Sequence, residues 1–239
     1  MAFCHFTNVG IKAWIWSSTG FGTKYADPAS SIGNGSNYYS VTFNSADTVI
    51  AVGHDATPFA GAWAWSAGFG TKYANPATLP TLNVNGVSFT PSGDAIALAC
   101  TNSNYFFVYP WSSVTGFGTK YADPATLSTS SARSVAFNPT GTSIAFGVDN
   151  FPYIYAYPWS AGFGTKYANP ASYGTLNAGS IGATDAISFN PAGNVIGTGN
   201  NIIPISTWAW SAGFGTRYAD PGVYAGGGQN GSGTSIAFT

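Results

Sequence analysis

Charge is what this sequence has least of. Only 6% of its 239 residues are Asp, Glu, Lys or Arg, against roughly 25% in an ordinary globular domain. Glu is absent altogether, and the net charge is −1. Such a chain has no field to gather nucleic acid or an anionic membrane, so neither is an expected partner. No run approaches the ~18 apolar residues that a membrane helix needs. The opening MAFCHFTNVGIKAWIW has no basic segment leading into an apolar one, so it does not read as a secretory signal. There are two cysteines, Cys4 and Cys100. They fall too far apart in the chain's organisation to bring their Cα atoms within about 7 Å, and two free thiols are expected. With two histidines, His5 and His54, and no G-x-S-x-G turn, no nucleophile–base–acid set can be assembled.

Against this scarcity stands one phrase, present five times. It reads WSSTGFGTKYADP from Trp16, WSAGFGTKYANP from Trp65, WSSVTGFGTKYADP from Trp111, WSAGFGTKYANP from Trp159 and WSAGFGTRYADP from Trp210. The tryptophans are spaced by 49, 46, 48 and 51 residues, so five units use up the chain. The phrase also holds five of the seven basic residues: Lys24, Lys72, Lys120, Lys166 and Arg217. A period of this length with several short strands per unit is the signature of a propeller array.

The third unit shows the strands most plainly. Asn85 to Thr90 alternates small or polar with apolar residues, as strand a. PSGD is a hairpin turn. Ala95 to Cys100 is apolar on both faces, as a buried strand b, and a polar TNSN loop follows. Tyr105 to Trp111, aromatic and β-branched, is strand c. FGTKYADP from Phe117 is a more polar strand d ended by Pro124, with Lys and Pro blunting an outer edge. Strand a recurs at Ser40, Gly86, Ser134, Ala186 and Ser235, the last at the C-terminus, while the N-terminal residues align with strands b and c of a unit. The expected fold is therefore all-β: one five-bladed β-propeller of four-stranded antiparallel blades. Four blades span about 40–76, 86–124, 134–170 and 186–221. Residues 1–27 and 235–239 share the fifth, and pairing of the chain ends closes the ring and removes two sheet edges.

Three units carry F-[TN]-P-x-G between strands a and b (FTPSG, FNPTG, FNPAG), and one departs as FNSADT from Phe43. In this the chain resembles WD-repeat β-propellers. Trp-Ser stands where that family has Trp-Asp, so the family's Asp-based network is not carried over. The GFGTKYADPATL phrase is similar to the highly repetitive propellers of tailed phages, and that resemblance implies a virion protein.

The repeats supply an internal control for function, because a catalytic residue should be singular and a structural one should recur. Asp27, Asp123 and Asp220 recur but are replaced by Asn75 and Asn169 in two units, which a general acid would not survive. The five tryptophans Trp16, Trp65, Trp111, Trp159 and Trp210 recur and read as packing between blades. His5, His54 and Cys100 share one repeat position, but on three different blades, with Val148 and Asn200 in the remaining two, so no metal site is expected. GFGT leads into a strand and not a helix, so it is no phosphate loop. Symmetry breaks in the b–c loops, which offer His54, Asp55, Asn102, Asn104, Asp149, Asn150, Asn200 and Asn201 as candidate ligand or partner contacts, with Tyr38, Tyr39, Tyr173 and Tyr224 nearby.

These readings converge on a non-enzymatic protein without cofactor or metal. The expected role is a structural or attachment component of a phage particle, made in the host cytoplasm. Its partners would be other virion proteins or further copies of itself. The alternative is a glycan-binding lectin that uses the b–c loop face.

Overall fold

The computed structural model describes residues 2–3, 10–30, 36–101, 104–173, 182–201, 205–219 and 235–238. Among them there is no helix; every regular element is a short strand, gathered into five antiparallel sheets. By contacts the chain parts into two compact units, Met1–Asn102 with Phe107–Tyr121, and Ser103–Phe106 with Ala122–Thr239.

The first unit holds three sheets. One is β1 (Ala2–Phe3), β2 (Lys12–Ser17) and β3 (Gly20–Lys24). The next orders β4 (Tyr38–Phe43), β5 (Val49–His54), β6 (Ala60–Trp65) and β7 (Phe69–Lys72) side by side. The third runs β8 (Val84–Phe89), β9 (Ala95–Cys100), β10 (Phe106–Ser112) and β11 (Gly116–Phe117). The second unit holds β12 (Ala132–Phe137), β13 (Ser143–Val148) and β14 (Ile154–Pro158), then β15 (Thr184–Phe189), β16 (Val195–Asn200), β17 (Ile205–Trp210) and β18 (Phe214–Arg217). Strands follow chain order in every sheet, the meander that the repeat pattern implies. In β5, β9 and β13 every residue is buried, as expected of strand b, while β3 and β7 are largely open to solvent.

The F-[TN]-P-x-G motif has a clear physical basis. In the β8–β9 turn the Thr90 hydroxyl accepts from the amides of Asp94 and Ala95, and Gly93 donates back to the Thr90 carbonyl. Asn138 and Asn190 do the same with their side-chain oxygens in the second unit. Gly93, Gly141 and Gly193 take φ near +70° (72, 69 and 69), where glycine carries no steric cost. In the departing copy Asp47 takes this role at φ 53, and Asn44 still caps the turn.

The repeated phrase is read out as a cluster of rings. Each tryptophan ending strand c meets the strand-a and strand-d phenylalanines edge-on. Trp65 meets Phe43 and Phe69, Trp111 meets Phe89 and Phe117, Trp159 meets Phe137 and Phe163, and Trp210 meets Phe189 and Phe214. The tyrosine of the preceding copy of the phrase adds a third ring in the pairs Tyr25–Trp65, Tyr73–Trp111 and Tyr167–Trp210. T-shaped pairs of this kind contribute beyond the area they bury. Trp16 differs from the expectation of packing between blades: it meets Phe21 but is 55% exposed.

Strand d also departs from expectation. β7 and β18 are four residues long, but β11 has two, and beside β14 only a Trp159–Phe163 bridge remains. The cause lies on strand c. Ala64 and Ala209 in two sheets are replaced by Pro110 and Pro158 in the others. The Pro110 and Pro158 carbonyls accept from Gly118 and Gly164, so these residues point their polar groups toward strand d. Proline has no N–H to return, and the ladder stops there.

The pairing expected to close the ring falls largely on residues outside the described ones. Ser235–Phe238 has no strand ladder, but Ile236 and Phe238 crowd the Cα of Gly197 within the second unit, where a Cβ would come within 2.7 Å of Ile236. Gly53 meets Val84 and Gly147 meets Thr184 in a comparable way, strand b of one sheet against strand a of the next. The C-terminal segment thus occupies the place of a following strand a.

Candidate functional site

The loops after strand b meet the start of strand a in a polar cluster in each unit. Each strand a in a fully described sheet carries a register shift: between Tyr38 and Ser40, Val84 and Gly86, Ala132 and Ser134, and Thr184 and Ala186. The bulge places one extra residue in strand a, and in all four sheets that residue is not buried: Tyr39, Asn85, Arg133 and Asp185. These four differ from one another, as do the buried residues before them, although the four residues that follow are near copies.

In the first unit Asp55 anchors the cluster. Its carboxylate accepts from the Asn37 amide at 2.9 Å, from Asn37 Nδ2 at 2.7 Å and from the Tyr39 hydroxyl at 3.5 Å. Asn83 Nδ2 donates to the Tyr39 oxygen, and Asn85 Nδ2 to the Thr101 hydroxyl at 3.0 Å. Burial first, and then the Asp55 charge, raise the Tyr39 phenol above its ordinary range. In the second unit the Arg133 Nε donates to Asp149 and lies 3.6 Å from Asp185. The Asp149 hydrogen bond holds the guanidinium charged. Burial raises the Asp185 carboxyl, Arg133 opposes that, and Asp149 adds to it. Two carboxylates therefore answer the single cation of this cluster.

Beside it lies a triangle of rings. Phe151 contacts Tyr153 at 6.0 Å and Tyr173 at 5.7 Å, and Tyr153 and Tyr173 are 5.9 Å apart. Phe151 is 64% exposed, whereas Tyr173 is 8% exposed and its buried hydroxyl has no hydrogen-bond partner among the described residues.

The candidate contacts named from sequence divide sharply. Asp55, Asp149 and Asn150 sit in these clusters, Asn150 exposed and its amide bonded to the Ser130 hydroxyl. Asn104 and Asn201 are also exposed, and Asn102 lies outside the described residues. His54 and Asn200 are wholly buried at the ends of their strands. Asn200 is satisfied there by Thr184 and Thr198. The His54 ring tilts against Tyr38 at 5.4 Å, its Nδ1 accepts from the Ala56 amide, and Nε2 has no partner. Burial pushes its pKa down to about 4. Cys100, in the same column, is buried and free, and burial raises its thiol. Among the described residues no group of three metal-type side chains comes together.

The recurring Lys positions act locally. Lys24 pairs with Asp27 at 2.6 Å, Lys72 bonds Asn75 at 2.5 Å, and Lys166 bonds Asn169, so Asp and Asn are interchangeable partners there. Lys120 and Lys166 lie over the Phe107 and Tyr155 rings, and Arg217 reaches the Ser206 hydroxyl. Sequence reasoning missed Asn85, Arg133 and Asp185. The signal that would have found them is the second position of strand a, which differs in every copy, as the buried first position also does.

These features define an all-β, repeat-built protein of several small antiparallel sheets, consistent with a β-propeller-like fold. No protein-family model matches the chain, and no curated protein matches it. Solved structures do match, 1076 chains in all, so the fold is widespread and cannot by itself name a function. One is a Bacteroides uniformis protein provisionally named a 6-phosphogluconolactonase. It is 14% identical with a TM-score of 0.64, over 93% of this chain and 69% of that one. The likeness is one of fold.

Proposed function

We propose that the chain is a five-bladed β-propeller acting as a non-enzymatic binding module, and that its ligand is a neutral polyhydroxylated molecule, a glycan, held on the face of the b–c loops. One observation supports this above others. In a protein built from copies, the solvent-facing bulge residue of strand a is Tyr39, Asn85, Arg133 or Asp185, a different hydrogen-bonding group in each sheet. The buried position just before it varies too, but variation at a solvent-facing position amid copying is what a surface that meets another molecule would carry. The groups there are amides, hydroxyls and carboxylates, suited to sugar hydroxyls. The Arg133 cation is already engaged by Asp149 and Asp185, which disfavours an anionic ligand.

A second reading, attachment to a phage particle or other large assembly, draws on a different surface. Ile15, Trp16 and Phe21, on β2 and β3, are exposed together and suit docking to a protein neighbour. The name of the fold neighbour brings in a third, hydrolysis of a sugar-phosphate lactone. The first and third readings are separated by one set of assays on the full chain. Saturation-transfer NMR with glucose, galactose, N-acetylglucosamine and their β-linked disaccharides should show binding that weakens in Asn85→Ala and Arg133→Ala. Hydrolysis of 6-phosphogluconolactone that disappears in Asp149→Asn would replace the binding reading with an enzymatic one.

A further inference from the structure

The ring triangle of the second unit carries the glycan reading to a particular place. The position of Phe151 is held by Thr57 in the β5–β6 loop, so an aromatic ring here is a departure from the repeat. Exposed at 64%, it makes edge-on contacts to Tyr153 and Tyr173. A large apolar ring left open at a polar loop tip loses hydration free energy unless something covers it. Two residues before it, Asp149 is tied to Arg133, and the intervening Asn150 is exposed. At the base, the Tyr173 hydroxyl is buried and has no hydrogen-bond partner among the described residues, a group whose hydrogen bonding a bridging water would complete. One face of a hexopyranose is a patch of C–H bonds and its rim is hydroxyls. A fixed aromatic ring flanked by a carboxylate, an amide and a guanidinium matches both.

We infer that Phe151, supported by Tyr153 and Tyr173 and flanked by Asp149, Asn150 and Arg133, is the principal saccharide-stacking site of this chain. The inference rests on the glycan reading and narrows it to one loop and to pyranose rings with an open C–H face. Phe151 is mostly solvated, so Phe151→Ala should leave the melting temperature unchanged while weakening binding of the best-bound probe sugar about tenfold or more, and Phe151→Trp should retain it. Asn150→Ala should weaken it less, by about a single hydrogen bond's worth of several-fold. If none of the probe sugars named above binds the wild-type chain, the glycan reading and this site fall together. If a sugar binds, but Phe151→Ala binds as wild type while Asn85→Ala or Tyr39→Ala does not, the glycan reading stands and this site is wrong. If both Phe151→Ala and Phe151→Trp abolish binding with unchanged melting, stacking is not the mode and the assignment is likewise overturned.

Discussion

Acid should weaken this fold through one buried ring. His54 ends β5 with no exposed surface, its Nδ1 accepts a backbone amide, and burial lowers its pKa from 6.5 to about 4. Above pH 6.5 neither the folded nor the unfolded chain holds a proton there, and stability is at its full value. Between 6.5 and 4 the unfolded chain takes up the proton and the folded one does not, so stability falls as pH falls, until the folded ring also titrates. At 1.36 kcal/mol per unit, the loss reaches about 2.5 kcal/mol by about pH 4.5 and approaches about 3.4 kcal/mol at lower pH. The repeats themselves suggest the control. Val148 fills the same column, so His54→Val places there a side chain the fold already accepts, and it removes the unpartnered Nε2. Urea unfolding followed by tryptophan fluorescence, at a series of pH values, gives the stability of each protein. The difference between wild type and His54→Val should drift in favour of the variant by the stated amount, which cancels the carboxylates common to both. A difference that stays constant from neutral pH to pH 4.5 would refute the reasoning.

Three further outcomes are expected. Trp210, 4% exposed among three rings, should cost about 3–5 kcal/mol when replaced by Ala, whereas Trp16→Ala should cost under about 1 kcal/mol; chemical denaturation separates them. Pro158→Ala restores a donor facing strand d, so the new amide at position 158 should show slowed hydrogen exchange with stability changed by no more than about 1 kcal/mol. Removing Ser235–Thr239 uncovers Gly197 and strips the half-buried Ile236 and Phe238, a loss of about 2 kcal/mol or more; a truncated chain melting within about a degree of the intact one would contradict that packing.

The strands, their order and the turn chemistry were legible because they rest on local, repeated causes. The spacing of the tryptophans marks the units, the Pro-x-Gly turn fixes the hairpin, and unbroken apolar runs such as Ala95–Cys100 can only be buried. Two causes were harder to read. The shortening of strand d follows from Pro110 and Pro158, but only once their carbonyls are seen to face strand d and not strand b. The bulge that turns out Tyr39, Asn85, Arg133 and Asp185 shifts the register by one residue, and an alternating pattern cannot reveal which residue is the extra one. For the same reason His54 and Asn200 read as the start of a loop although they complete buried strands. Phe151 was passed over because it sits inside a loop of turn-forming residues, where only the comparison with Thr57 marks it as exceptional.

The central claim is that the b–c loops, with the varied strand-a residues beside them, are where this protein binds a neutral sugar. Amide chemical-shift mapping of the full chain during titration with the probe saccharides, up to about 10 mM to reach weak sites, tests it directly. The account predicts shifts confined to 37–39, 55, 83–85, 101, 133, 149–153 and 185, largest around Phe151. Shifts confined instead to the outer hairpin of Ile15, Trp16 and Phe21, or none anywhere on the chain, would contradict it.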